Sequence, residues 1–269
     1  MADVQTRQAR GDRGDREAIL RLEGVNKAFG GVIAAENVTF SVYVGGIMGL
    51  IGPNGAGKTT ILNVVSGIYE VDSGRIYLGD EEITSRPAHI RARMGLARTF
   101  QSPRFLQRSN ISDNLKLGTD LAEQFGFFKS YFWKKGFDFQ AELDELMEVA
   151  GFKVDLKAPI SSLSYGQRKL LEIVRAMLSH PRIMLVDEPA AGLNDSEIER
   201  AVALLRLATD KRGMGVVLIE HKMDMVMNTC HDIVVLNFGR LIARGTPEEI
   251  SSNREVIEAY LGRDFFAED

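Results

Sequence analysis

Apolar side chains at Val38, Phe40, Val42 and Val44 alternate with Thr39, Ser41 and Tyr43, the period of a strand with one buried face. Residues 19–46 read as extended structure throughout, closed by a turn at Gly45 and Gly46. The next run, residues 47–51, is apolar apart from Gly49 and predicts a strand covered on both faces, as in a parallel sheet. It runs directly into a glycine-rich loop. Residues 59–68 suit a helix, and residues 73–83 read as a short hairpin turning at Gly79 and Asp80.

The middle of the chain changes period. Helical signals occupy residues 113–123 and 140–150, where Leu143, Leu146, Met147 and Ala150 recur at helix spacing. Between them Phe125, Phe127, Phe128, Tyr131, Phe132, Trp133, Phe137 and Phe139 crowd together, a density that calls for a packed or docked surface. A helical subdomain is expected at about residues 103–180 of this sequence. Beyond it come an apolar run at 182–186, a helix at 196–212 ended by Gly213, and a second apolar run at 216–219. Strand, helix, strand is the signature of a parallel α/β sheet. A hairpin at 233–245 follows, then a helix start in which Thr246 caps, Pro247 takes the first helical position and Glu249 completes the box.

Composition narrows the class. The chain has 269 residues, 45% hydrophobic and 26% charged, which excludes disordered, collagen-like and fibrous readings. A formal charge of -4 lacks the basic footprint of a dedicated nucleic-acid binder, so no nucleic-acid partner is expected. The single cysteine, Cys230, has no partner for an internal disulfide and fits a reducing compartment. Residues 1–18 mix both charge signs without an apolar core, which reads as a solvated, disordered tail rather than a secretory signal. No stretch has the length of apolar residues that a membrane span needs, so membrane contact is expected through a partner.

Three segments carry chemistry. GPNGAGKT, from Gly52 through Pro53, Asn54, Gly55, Ala56 and Gly57 to Lys58 and Thr59, fits G-x-x-x-x-G-K-[ST] between an apolar strand and a helix. Its backbone N–H groups wrap phosphates, Lys58 adds a point charge and Thr59 offers a hydroxyl to Mg²⁺. IMLVDEP, residues 183–189, is an apolar strand ending in two carboxylates. Asp187 takes the metal role and Glu188 is the candidate general base. In residues 161–180, Ser164 and Gln167 have capping-box spacing ahead of a helix with a stripe of Leu170, Ile173, Val174, Met177 and Leu178. The segment LSYGQ places Ser164, Tyr165, Gly166 and Gln167 at that helix start, a second phosphate site in a chain with one phosphate loop.

GPNGAGKTT, LSYGQ and LVDEP in this order resemble the nucleotide-binding subunit of an ATP-binding cassette (ABC) transporter, over essentially the whole chain after residue 18. The resemblance implies an α/β P-loop NTPase: a RecA-like core, an antiparallel β subdomain and a helical signature subdomain, binding ATP with Mg²⁺. It adds Thr60 to the phosphate loop, matches Phe29 in NKAFGG to the aromatic that stacks on adenine, and matches Gln101 in ARTFQSP to the glutamine near Mg²⁺ and the attacking water. His221 in LIEHKM matches the switch histidine that contacts the γ-phosphate.

Two positions depart from the family pattern. Tyr165 replaces the first glycine of the usual LSGGQ, and Asn194 in AAGLND stands where an aspartate is usual. Both are similar to the branch serving branched-chain amino acid importers, as are LEIVRAM, DEPAAGLN, LIEHKMDMVM and VIEAYLG. The implied assembly is a head-to-tail dimer, with itself or a paralogous cassette, in which Ser164 and Gly166 of one subunit seal the other's ATP. The implied setting is the cytoplasmic face of the inner membrane, with transmembrane permease subunits and, indirectly, a periplasmic or extracellular substrate-binding protein. The aromatic run is then either subdomain interior, a patch receiving a permease helix, or a lipid-headgroup contact. Alternatives are the ATPase of another ABC system such as lipopolysaccharide export, a soluble ABC ATPase that does not transport, and a kinase using the same loop. The single phosphate loop and acidic balance argue against the soluble class, and a kinase has no use for LSYGQ.

Overall fold

Strand β1 (Ala18–Phe29) pairs antiparallel with β2 (Val32–Tyr43) and with β4 (Ser73–Leu78), which continues into β5 (Glu81–Glu82), giving a sheet of order β2-β1-β4-β5. The computed structural model describes residues 17–124 and 139–261. Of the aromatic run, only Phe139 lies within the described residues, where it opens a helix and packs on the core.

The second sheet has order β10-β9-β3-β8-β7-β6, formed by β3 (Ile47–Ile51), β6 (Leu96–Arg98), β7 (Ile183–Asp187), β8 (Gly215–Ile219), β9 (Asp232–Asn237) and β10 (Arg240–Gly245). Its neighbours run parallel except for the β9 to β10 hairpin. The period of two explains why β3, β7 and β8 are apolar without alternation. Ile47 and Ile51, Met184 and Val186, and Val216 and Leu218 face one core shared with the helices. Met48 and Leu50, Ile183 and Leu185, and Val217 and Ile219 face a second core shared with the antiparallel sheet. Both faces are buried, as the sequence predicts.

Helices α1 (Lys58–Val65), α2 (Ala88–Arg93), α3 (Ile111–Gln124), α4 (Phe139–Ala150), α5 (Tyr165–Leu178), α6 (Asp195–Arg206), α7 (Met223–Thr229), α8 (Pro247–Ser251) and α9 (Arg254–Leu261) complete the described chain. Leu143, Leu146, Met147 and Ala150 of α4 are buried against α5 and its neighbours, as their spacing predicts.

Two helices stop earlier than the sequence suggests, for visible reasons. Expected to reach residue 68, α1 ends at Val65 because Gly67 turns left-handed at φ +76, with Ile68 N–H donating to Asn63 O at 2.9 Å and Gly67 N–H to Val64 O at 3.1 Å, and the buried Arg91 guanidinium adds donors to the Val64 and Val65 carbonyls at 2.6 and 2.8 Å. The helix expected over 196–212 is α6 followed by a wider π turn at Leu207–Lys211. There the Thr209 hydroxyl bonds the Leu205 and Arg206 carbonyls at 3.2 and 3.1 Å, a local competition that loosens the ladder. Strand β1 takes in Ala18, the last residue of the expected tail.

Candidate functional site

Four adjacent strands, β3, β8, β7 and β6, end at one edge of the parallel sheet, the position where open α/β sheets bind ligands. The loop after β3 is the glycine-rich segment 52–57. Gly57, the N-cap of α1, has φ +101, and a Cβ there would collide with the Ala34 carbonyl, so only glycine lets β2 lie against the loop. Lys58 opens α1, is buried, and folds back to donate to the Gly52 and Pro53 carbonyls at 2.6 and 3.0 Å. Burial pushes its ammonium below the usual lysine range, against the pull of Glu188 and Asp187. Thr59, next on the helix, is exposed at the mouth of the loop.

The loop after β7 carries the paired carboxylates. Glu188 adopts φ +47, a left-handed conformation that non-glycine residues seldom take and that concentrates at functional sites. Its backbone is held at both ends: its N–H donates to Ile219 O at 2.9 Å and its carbonyl accepts from Lys169 Nζ at 2.7 Å. Gln101 Nε2, from the loop after β6, donates to Glu188 Oε2 at 2.7 Å, and His221 Nε2, from the loop after β8, stands 3.2 Å from Oε1. The three residues expected to act on water therefore form one hydrogen-bonded cluster.

Asp187 instead pairs with Arg98 at 3.4 Å, and Arg98 is anchored to Asn63 Oδ1 and Ser66 Oγ of the α1 region at 2.7 and 2.9 Å. Desolvation still pushes the Asp187 carboxyl above its ordinary range, with Arg98 opposing. Buried Glu220 fixes the next layer: it accepts from Ala190 N–H at 2.6 Å and His221 N–H at 3.0 Å. Arg98, Lys169 and Glu220 escape the sequence reading, because each is a single polar residue with no motif around it.

A magnesium ion in a phosphate site takes one or two protein oxygens and fills its shell with phosphate and water. The Thr59 hydroxyl, the Asp187 carboxylate and the Gln101 amide are such a set, and the under-compensated Asp187 suits an added cation. No cluster of three or more His, Cys, Asp or Glu that would hold a metal unaided occurs among the described residues. The residues therefore fit Mg²⁺ bound together with a nucleotide.

Phe29, at the tip of β1, is 42% exposed and meets the Tyr69 ring edge to face at 5.1 Å. Tyr69 is a second aromatic beside the expected adenine platform that the sequence reading missed. Ser164 caps α5 through a complete box with Gln167. A Cβ at Gly166 would run into the Glu197 carboxylate, so that glycine also answers to packing. Tyr165 is exposed, lies against Gly192 and donates its hydroxyl to Gln101 O at 3.4 Å, linking this segment to the Gln101–Glu188–His221 cluster of its own chain. Asn194, the second departure, caps α6 by accepting from Glu197 N–H at 3.0 Å, a task that needs a side-chain oxygen and no charge.

Residues 35–191 match the family model described as ABC transporter, and residues 240–265 match one described as branched-chain amino acid ATP-binding cassette transporter. The chain is 39% identical over 251 residues to the high-affinity branched-chain amino acid transport ATP-binding protein BraF of Pseudomonas aeruginosa, covering 91% of this chain and 98% of that protein. It is 36% identical over 252 residues to the protein LivG of Escherichia coli, which bears the same description, with the same coverage. Among solved structures, the ADP conformation of an ATP-binding cassette of an ABC transporter superposes with a TM-score of 0.77 at 31% identity, covering 91% of this chain and 99% of that one. A dimeric cassette with ADP and phosphate, at 21% identity and a TM-score of 0.70 over 85% of this chain and 98% of that one, shares the fold.

Proposed function

Because the chain belongs to the ABC transporter family as an ATP-binding cassette, we propose that it energises an importer of branched-chain amino acids or of a related small amino-acid, amide or urea-type substrate. The observation that carries the ATPase chemistry is the cluster around Glu188, whose two carboxylate oxygens meet Gln101 and His221 beside the phosphate loop. The cargo class is supported by the C-terminal match and by the transport relatives.

Hydrolysis follows from positioning and electrostatics, with little covalent work for the protein. The phosphates of ATP enter segment 52–57, and Lys58 exchanges the Gly52 and Pro53 carbonyls for phosphate oxygens. Glu188 orients a water for in-line attack on the γ-phosphorus and takes its proton, while His221 holds the γ-phosphate from the other side. Thr59, with Asp187 and Gln101, would hold Mg²⁺, which would supply positive charge to the phosphates when bound with the nucleotide. The adenine stacks on the exposed Phe29 ring, which Tyr69 supports by its edge-to-face contact. The N-terminus of α5, with Ser164 and Gly166, offers N–H donors and a positive dipole end to a phosphate. In a head-to-tail dimer that phosphate belongs to the second cassette.

Among the described residues no helix is long and apolar enough to cross a membrane. The transport relatives support a reading in which permease subunits supply the path and this chain docks on them from the cytoplasmic side. Cargo reaches them through a substrate-binding protein. The test is uptake of radiolabelled leucine by cells lacking the chromosomal copy and complemented with wild type or Glu188→Gln. Uptake restored by wild type alone supports the reading. Leucine uptake that is equal with and without the wild-type chain sinks the cargo assignment.

A further inference from the structure

Tyr165, Lys169, Glu172 and Arg175 of α5 fall within about 120° of one another around a helix of 3.6 residues per turn, and each reaches a piece of catalytic backbone. The Tyr165 hydroxyl donates to Gln101 O at 3.4 Å, and Lys169 Nζ donates to Glu188 O at 2.7 Å. One turn on, Glu172 Oε1 accepts from Arg104 N–H at 3.3 Å, while Arg175 Nη1 donates to Arg104 O at 2.8 Å. The Arg175 guanidinium also covers the Phe105 ring at 4.5 Å, and Arg104 covers Phe100 at 4.4 Å. The loop carrying Gln101 is thus fastened to α5 at Gln101 itself and at both polar groups of the Arg104 backbone.

Packing alone does not ask for these residues. Lys169 and Glu172 are 3% and 2% exposed, and ionisable groups this deep are expensive unless paired and hydrogen-bonded. Leucine or alanine would fill a plain core helix at lower cost. What the polar stripe supplies is a fixed register between the helix and two loops.

We propose that Glu172 is a positioning residue for ATP hydrolysis: with Arg175 it locks the Arg104 peptide, and so holds Gln101 against Glu188, whose carbonyl the same helix grips through Lys169. This rests on the assignment of Glu188 and Gln101 to the attacking water. Ser164 caps the same helix, so load on its signature end is transmitted to Gln101 and to the Glu188 backbone by one rigid element.

The test uses the full-length chain purified with whatever subunits accompany it, assayed with Mg-ATP and normalised to folded protein. Glu172→Leu removes the acceptor and is expected to lower kcat at least about tenfold with KM for ATP changed less than about twofold. Glu172→Gln keeps an acceptor oxygen and is expected to recover most of that loss. Arg175→Met, which removes the opposite fastening, is expected to show the same split between kcat and KM, and decides the matter if Glu172→Leu does not fold. Wild-type kcat in Glu172→Leu or Arg175→Met, a glutamine variant as slow as leucine, or a loss that tracks only the folded fraction would each overturn the proposal. Glu188→Gln run alongside separates the two levels. If it is inactive while the Glu172 and Arg175 variants are normal, the positioning role alone is wrong; if it hydrolyses at the wild-type rate, the assignment beneath it falls as well.

Discussion

Gln101 Nε2 donates to Glu188 Oε2 at 2.7 Å although the two residues are 87 apart in sequence. Gln101 and His221 thus take one Glu188 carboxylate oxygen each. A carboxylate so engaged is oriented before nucleotide arrives, as the proposed general base would need to be. Replacing Glu188 by glutamine retains the shape but cannot take a proton. Turnover is expected to fall by at least about 100-fold, with ATP affinity within about threefold of wild type. Single-turnover hydrolysis alongside equilibrium nucleotide binding reads both; parallel loss of binding and rate would mean that Glu188 serves the loop rather than the water.

Arg91 holds the phosphate-loop helix from behind. It is 2% exposed, and it donates to Val64 O, Val65 O, Thr84 O and Arg86 O at 2.6, 2.8, 2.8 and 2.7 Å. Burial without a carboxylate pushes its guanidinium down to about 10, yet it stays charged at neutral pH and bonds the last carbonyls of α1. Arg91→Met removes a buried donor from all four carbonyls, of which Val64 O keeps the Gly67 N–H, and should cost about 3 kcal/mol. Arg91→Lys should also destabilise, because one ammonium has three donors and lacks the planar fork. Urea unfolding measures both, and a loss below about 1 kcal/mol for the methionine variant would show that water replaces the guanidinium.

Contiguous chemistry was legible and scattered chemistry was not. Residues 52–59 announce themselves because a backbone cradle needs several glycines in a row, and Asp187 with Glu188 because they end an apolar run. Gln101 and His221 are isolated side chains that enter only through resemblance to a family. Helix α5 shows the limit of periodicity. Its stripe of Leu170, Ile173, Val174, Met177 and Leu178 is buried as expected, but Lys169 and Glu172 are buried too, since a loop and the end of β7 cover the face that hydropathy assigns to solvent. Arg91 and Arg98 are hidden for the same reason: their partners are carbonyls and a carboxylate brought together by the fold.

Cys230 packs against β3 and is 7% exposed, with its thiol pushed up to about 12 by burial and by Asp232. A thiol in this state is a small apolar group, since the reactive species is the thiolate. Native protein at pH 8 is therefore expected to resist an aromatic disulfide reagent over hours and to react at once in denaturant. Rapid labelling of the folded chain would show that α7, which covers the thiol, opens readily.

The Glu172 carboxyl ties stability to pH in a direction opposite to the usual acidic residue. Desolvation pushes it up to about 7, against the opposing effects of Arg175, Lys169 and the Arg104 and Phe100 backbones. The folded protein thus binds this proton more tightly than the unfolded chain does, for which an ordinary glutamate value near 4.3 applies. Stability from this group is fully present below the unfolded value, is lost as pH rises toward 7, and changes no further above it. Glutamine does not ionise, so Glu172→Gln should be more stable than wild type at pH 8 by on the order of 2–3 kcal/mol, with the gap narrowing as pH falls toward 5. Denaturant titrations across that range check the sign. A variant less stable than wild type at pH 8 would show that Lys169 and Arg175 stabilise the charge by more than burial penalises it. A glutamine variant that is more stable and still turns over near the wild-type rate would show that the Arg104 N–H needs an acceptor oxygen rather than a charge, and that the ionised carboxyl is kept at the expense of the fold.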